Sequence, residues 1–159
     1  MAIDIFQELL NGPARLRRRA APVSGDLRIS WGVAIVLLIV GSSRGGRCSF
    51  QKLHFLGHAV RRSESRDHAL GLLKPGRKPR FPMMRVEPWL NRAVNFAASL
   101  DLLAIEGGKS IRLTKESEKV LIKLKGPDLL VEEKQFLEEI RPFATEKNID
   151  QAMIPRSLL

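Results

Sequence analysis

The residues whose spacing could support chemistry lie in the segment 41–49, where an apolar run leads into the sequence GSSRGGRCS. Gly41 and Gly46 match the GxxxxG spacing of a loop whose backbone N–H groups hold phosphate. However, Arg47 stands where a lysine should reach the terminal phosphates, and Cys48 stands where a hydroxyl should bind magnesium. The sequence also has no later apolar strand that ends in an aspartate to complete the metal site. We therefore favour an arginine-bearing loop between helices over a nucleotide-binding enzyme.

Three histidines give the chain a second possible site. His54 and His58 would lie one helical turn apart, a spacing that can hold a metal ion, and His68 could approach from the next helix. Phe55 occupies the position of the glutamate that would serve as general base, and no obvious carboxylate completes the ligand set. We interpret these histidines as structural or surface residues. The sequence predicts no catalytic residues, no metal and no cofactor.

Cysteine content and hydropathy indicate a cytoplasmic protein. Cys48 is the only cysteine, so an intrachain disulfide and a cysteine-based zinc site are both excluded. The apolar run 31–40 would extend about 15 Å as a helix, whereas a bilayer core is about 30 Å thick. Acidic residues precede the arginine cluster at the N-terminus, which reverses the order of a secretory signal. We expect neither export nor a membrane span.

The elements that would position a functional surface are clearest in residues 87–114. Pro88 suits the first position of a helix, and apolar residues then recur at helical spacing on one face. The period next changes to two, and Gly107 and Gly108 separate two short alternating runs, which predicts a tight hairpin. A helix that runs into a hairpin is common in DNA-binding winged helices, and the same unit also serves as a protein-docking surface.

Further helices are predicted on both sides of this unit. We expect a short helix over residues 3–10, a central helix over residues 30–40 and a loop over residues 42–48. Two further helices between residues 49 and 73 would form the front half of a helix-turn-helix. We expect residues 74–82 to form an exposed cationic loop. We expect residues 83–86 to form a short edge strand that pairs with the hairpin. The residues expected to cap helices are Ser30, Ser49, Ser63, Thr114, Asp128 and Thr145.

The predicted fold is therefore mainly α with a small β-hairpin, a winged helix-turn-helix-like domain that carries a C-terminal helical extension. We expect three parts along the chain. Residues 1–26 form an N-terminal helix and arginine-rich arm, residues 27–125 form the winged-helix-like domain, and residues 126–159 form the C-terminal helical extension.

The charge distribution points to an acidic partner. The chain has a net charge of +10, but residues 1–86 hold 16 Lys and Arg against 5 Asp and Glu, while residues 87–159 hold 11 against 12. Arginine predominates in the first half and suits phosphate contacts. The candidate DNA-binding residues on the recognition helix and wing are Asn91, Arg92, Asn95, Lys109 and Arg112. A second, more cationic set suits backbone contact: Arg61, Arg62, Arg66, Arg77, Lys78, Arg80 and Arg85.

The order of several sequence pieces resembles a known family. The pieces are LRISWGVAIVLLI, SFQKLHFLGHAVR, RFPMMRVEPWLNRAVNFAASLDLL with GGKSIRLT, and DLLVEEKQFLEEIRPFATEKNID. In this order they are similar to the middle components of bacterial ABC three-component systems, the Lamassu-type, SMC-associated anti-phage systems. The arginine cluster at residues 15–19 has no counterpart in this resemblance.

The resemblance implies a non-enzymatic subunit of an antiviral defence complex, one that bridges an SMC-like ABC ATPase and an effector, often a nuclease. It implies no catalytic residues. Weak, non-specific contact with double-stranded DNA would accompany the protein contacts. For the protein interface we expect apolar residues of the C-terminal helix, namely Val131, Phe136, Leu137 and Ile140.

One alternative comes from a different class of protein. A free-standing winged-helix transcription regulator would be a homodimer and would read a palindrome in duplex DNA through Asn91, Arg92 and Asn95. Such a regulator should prefer one duplex over random DNA by about 10³ or more, whereas an ATPase accessory subunit should show little preference and a steep salt dependence.

Overall fold

The computed structural model describes residues 25–76 and 86–153 and confirms the predicted mainly helical, winged-helix-like fold. The predicted helix at residues 3–10, the arginine cluster and most of the cationic loop lie outside the described residues. The elements are α1 (Gly25–Ser42), β1 (Arg47–Ser49), α2 (Phe50–Val60), α3 (Ser63–Leu73), α4 (Pro88–Ser99), β2 (Leu103–Glu106), β3 (Ser110–Leu113), α5 (Lys115–Leu124), α6 (Val131–Ile140) and α7 (Glu146–Met153).

Helix α1 is the centre of the fold. Its last two turns are apolar on every side because α2, α4, α5, α6 and the sheet all pack around it. Ile35, Val36 and Leu37 are completely buried there. The sequence-based boundary at Ser30 was too late, because the helix begins at Gly25. The first turns do not carry the apolar pattern that identified the rest.

The sheet has three antiparallel strands in the order β1-β3-β2. The predicted hairpin is confirmed, with Gly107 and Gly108 at positive φ of 57° and 64° in its turn. The third strand was predicted wrongly as a loop, because residues 47–49 form β1 and pair Cys48 with Ile111. Three residues are too few to show a period of two, which is why the pattern missed this strand. Val86 belongs to no strand, and residues 83–85 lie outside the described residues.

Helix caps were predicted with mixed success. Ser49 Oγ accepts the Lys52 N–H at 3.0 Å, and Thr145 Oγ1 accepts the Asn148 N–H at 3.1 Å, so both caps are confirmed. Thr114 stands at the N-cap position of α5, but its hydroxyl donates to the Asp101 carbonyl instead. Asp128 does not cap α6, because that helix begins after Leu130, whose φ is 49°.

The C-terminal helices belong to the same hydrophobic core as the winged-helix-like domain. Helix α6 packs on α1, α2 and α3, and α7 packs on α2 and α3. Ile149 of α7 is completely buried in a cluster that also contains Leu53 of α2. Residues on both sides of the expected boundary at residue 126 therefore share one core. No helix in residues 25–76 or 86–153 has the length and apolar content needed to cross a membrane.

Candidate nucleic-acid interface

The candidate interface is built where α2 meets the start of α4. Gly57 allows the close approach, because a Cβ at that position would lie 3.0 Å from the Leu90 methyl carbons. Leu90 is completely buried, so it has little room to move away. At this spacing His54 and His58, one turn apart on α2, both face the N-terminal end of α4. The two histidines considered as metal ligands thus serve the junction between these helices.

The Glu87 carboxylate, nearly buried at the N-cap position of α4, is the centre of this junction. His58 Nδ1 donates to Glu87 Oε1 at 2.6 Å, while Arg61 Nη1 and Trp89 Nε1 each donate to Oε2 at 3.1 Å. The Arg61 guanidinium also lies 5.7 Å from the centre of the Trp89 ring. Burial alone would raise the pKa of Glu87, but the bonds from His58 and Trp89 and the charge of Arg61 lower it overall.

His54 connects the same junction to the exposed face of α4. The Glu87 backbone N–H donates to His54 Nδ1 at 3.3 Å, and His54 Nε2 lies 3.1 Å from Asn91 Oδ1. Asn91, Arg92 and Asn95 are all exposed, as their positions along the helix predicted. The sequence did not predict that a histidine of α2 would hold one of these side chains, because that contact depends on how α2 and α4 cross.

Apolar side chains share the exposed face of α4. Phe96 is 46% exposed and Leu100 is 51% exposed. Arg92 is the only cation of this helix. The face therefore combines two amides, one guanidinium and two large apolar groups. One positive charge is few for a surface that binds DNA tightly.

The wing carries two arginines whose charges are shared with one carboxylate. Arg47 Nε lies 3.1 Å from Glu106 Oε2, and Arg112 Nε donates to Glu106 Oε1 at 2.9 Å. Lys109 is exposed in the hairpin turn and makes no ion pair with any described residue. Arg47 was missed as a wing residue because its strand was read as a loop.

The remaining cations that were predicted to contact DNA are paired within the chain, exposed, or outside the described residues. Arg66 of α3 is engaged within the chain, since it donates to the Val60 carbonyl and to Glu132 Oε2, both at 2.9 Å. Arg61 is held by Glu87, whereas Arg62 is exposed. The other four predicted residues, Arg77, Lys78, Arg80 and Arg85, lie outside the described residues.

The N-terminus of α2, which could attract a phosphate, already binds a carboxylate of the same chain. Ser49 donates to Glu146 through its backbone N–H at 3.1 Å and through its hydroxyl at 2.6 Å. These two bonds also join α7 to the start of α2. An external anion would have to displace Glu146 to bind there.

The predicted protein interface on α6 needs correction. Phe136, Leu137 and Ile140 are buried in the chain's own core, so they cannot meet a partner while α6 remains packed. Their apolar stripe faces α1, α2 and α3 rather than solvent. Val131 alone of the predicted set is available, being 54% exposed beside Leu129, which is 52% exposed.

The context of a nucleotide-binding loop is missing at residues 41–49. A phosphate loop leads from a strand into a helix, whereas this segment leads from α1 through a 3₁₀ turn into β1. Cys48 points into the core, where burial and the nearby charge of Glu146 raise the pKa of its thiol to about 12. Within residues 25–76 and 86–153, no three His, Cys, Asp or Glu side chains converge in a way that could hold a metal ion.

Comparison of the chain with models of protein families, with curated proteins and with solved structures finds no match.

Proposed function

We propose that this protein is a non-enzymatic accessory subunit that docks onto other proteins and touches DNA weakly through its basic surface. The observation that carries the proposal is the composition of the α4 face, where Arg92 is accompanied by the exposed Phe96 and Leu100. A surface that binds DNA tightly would present more positive charge, and exposed apolar side chains are typical of protein contacts. Glu106 pairs with both Arg47 and Arg112, and this neutralisation further weakens DNA contact by the wing.

A second surface supports docking to a protein. Ile122 is 74% exposed, and Leu129 and Val131 are exposed nearby along the chain. Val131 also borders an open cleft of about 550 Å³ between α1, α5 and α6. Three cations line that cleft against one carboxylate, Glu138, and the rest of the lining includes apolar residues, so its chemistry suits an acidic segment with an apolar side. The cations are Lys125, Lys134 and Arg141.

The partners come from the sequence resemblance. On that basis the subunit bridges an SMC-like ABC ATPase and an effector, such as a nuclease, in a cytoplasmic bacterial anti-phage complex of the Lamassu type. The ATPase would hold DNA, and the accessory subunit would reach the same DNA through exposed cations such as Arg62, Arg92 and Lys109.

The first experiment is purification of the chain from its native host at low salt, followed by mass spectrometry of the proteins that accompany it. We expect an SMC-like ATPase in stoichiometric amount. Recovery of a defined homodimer without a protein partner would overturn the proposal in favour of the transcription regulator.

Duplex binding separates the same two functions independently. An accessory subunit should bind random duplexes with little sequence preference and with an affinity that falls steeply as salt rises. A regulator should instead prefer one palindromic duplex by about 10³ or more. On the proposed function we expect the first result.

A further inference from the structure

The hydrogen bonds between Glu87, His54 and Asn91 can run in only one direction. The Glu87 backbone N–H lies 3.3 Å from His54 Nδ1, and a backbone N–H can only donate. Nδ1 must therefore accept and carries no proton. An imidazole in this state carries its proton on Nε2, so Nε2 is a donor.

This donor fixes the orientation of the Asn91 carboxamide. His54 Nε2 lies 3.1 Å from Asn91 Oδ1, the only atom of the carboxamide that can accept. His54 therefore bonds the carbonyl oxygen of the Asn91 side chain and does not bond its amino group. Asn91 is exposed, and its amino group bonds to no other described residue. Within the described part of the chain, its two N–H donors are therefore open to a further acceptor.

We propose that His54 is a positioning residue that presents the Asn91 amino group to hydrogen-bond acceptors of duplex DNA. The inference rests on the proposed DNA contact and deepens it. The guanidinium of Arg92, next along α4, also only donates, so the two side chains together suit acceptors. Phosphate oxygens and the O6 and N7 atoms of guanine both offer that chemistry.

Two substitutions of His54 separate positioning from a structural role. An asparagine amide lies near the place of Nδ1, so His54→Asn keeps an acceptor for the Glu87 N–H and loses the donor to Asn91. A glutamine amide lies near the place of Nε2, so His54→Gln keeps the donor to Asn91 and loses that acceptor. Binding of a fluorescent random duplex at low salt is measured for each, with the thermal unfolding midpoint as a check of folding.

We expect His54→Asn to weaken duplex binding about tenfold, which corresponds to the loss of about one hydrogen bond, and His54→Gln to stay within about twofold of the wild type. Asn91→Ala should also weaken binding about tenfold. Because the two residues act together, the double variant H54N with N91A should bind no more weakly than N91A alone. The reverse order, with His54→Gln the weaker binder, would assign His54 a structural role only and overturn the inference.

Duplexes of different composition identify the acceptor. A loss confined to duplexes of G·C pairs would indicate the guanine edge, whereas an equal loss on duplexes of only A·T and of only G·C pairs would indicate phosphate or the purine N7 that both duplexes share. Duplexes of 7-deazapurines, which lack N7, separate these last two. If the wild-type chain binds duplex DNA and His54→Asn binds equally well, positioning is wrong while the proposed DNA contact stands. If the wild-type chain binds no duplex at low salt, both are wrong.

Discussion

At the scale of single residues, the Glu87 carboxylate should matter most to stability, because it joins α2 to the start of α4. Glu87→Gln keeps the side-chain volume but removes the charge that His58 and Arg61 bond. We expect the free energy of unfolding at pH 7 to fall by about 2 kcal/mol. Chemical denaturation measures this loss. Glu64→Gln, on an exposed side chain of α3, is the control and should cost about 0.5 kcal/mol or less.

The effect of Glu87 should depend on pH. The pKa of Glu87 in the folded protein lies below its ordinary value of 4.5. The carboxylate therefore stabilises the fold fully above that ordinary value, and its contribution is lost as pH falls through the folded pKa. The difference in stability between wild type and Glu87→Gln should shrink as pH falls below about 4.5. A difference that grew in acid would contradict the assigned contacts.

The single thiol should be inert in the folded protein. Cys48 is buried, and burial together with the charge of Glu146 raises the pKa of its thiol to about 12. Since only the thiolate reacts, iodoacetamide at about pH 8 should leave the native chain unmodified and label it in concentrated guanidinium chloride. Mass spectrometry counts the labels. An Asn95→Cys variant, exposed on α4, should take one label under native conditions and shows that the reagent works.

At the scale of elements, α6 illustrates what a sequence pattern does and does not identify. Its apolar stripe predicted correctly that Phe136, Leu137 and Ile140 avoid water, but it could not say whether another chain or the same chain covers them. The structure places Phe136 in the chain's own core, where it is 4% exposed. Periodicity reports that a face is covered, whereas the identity of the cover depends on contacts between residues distant in sequence.

Two substitutions in α6 test this assignment. Phe136→Ala should cost about 3 to 4 kcal/mol of unfolding free energy, because it leaves a cavity between α6 and its neighbours. Val131→Ala, on the exposed first turn, should cost about 0.5 kcal/mol or less. Both values come from chemical denaturation of the isolated chain. A small effect of Phe136→Ala would mean that α6 is only loosely packed and would restore Phe136 as a partner contact.

Long elements were predictable and short ones were not. The helices from Phe50, Ser63 and Pro88 and the Gly107-Gly108 hairpin follow from local period and turn chemistry. The strand β1 does not, because it exists only where β3 pairs with it. Three residues without a partner have no pattern of their own.

At the scale of the whole molecule, the basic excess of the sequence overstates the free positive charge of the described surface. Arg61, Arg66 and Arg112 were predicted to face DNA, yet each pairs with a carboxylate of the chain. Composition could predict the number of cations but not their neutralisation, because ion pairs join residues far apart in sequence. Exposure of the α4 residues was predictable from helical period, and the His54 contact was not.

The wing offers a test of whether this neutralisation limits DNA binding. Glu106→Gln removes the carboxylate that Arg47 and Arg112 share, so both arginines lose their ion pair and their charge is available to phosphates. On the proposed function, affinity for a random duplex at low salt should rise about threefold to tenfold. The slope of log affinity against log salt should steepen by about 0.9 to 1.8, corresponding to one or two added phosphate contacts. Glu116→Gln on α5, which releases Lys119, changes the net charge equally and is the matched control. Equal effects of the two variants would assign the gain to net charge alone and show that the wing does not touch the duplex.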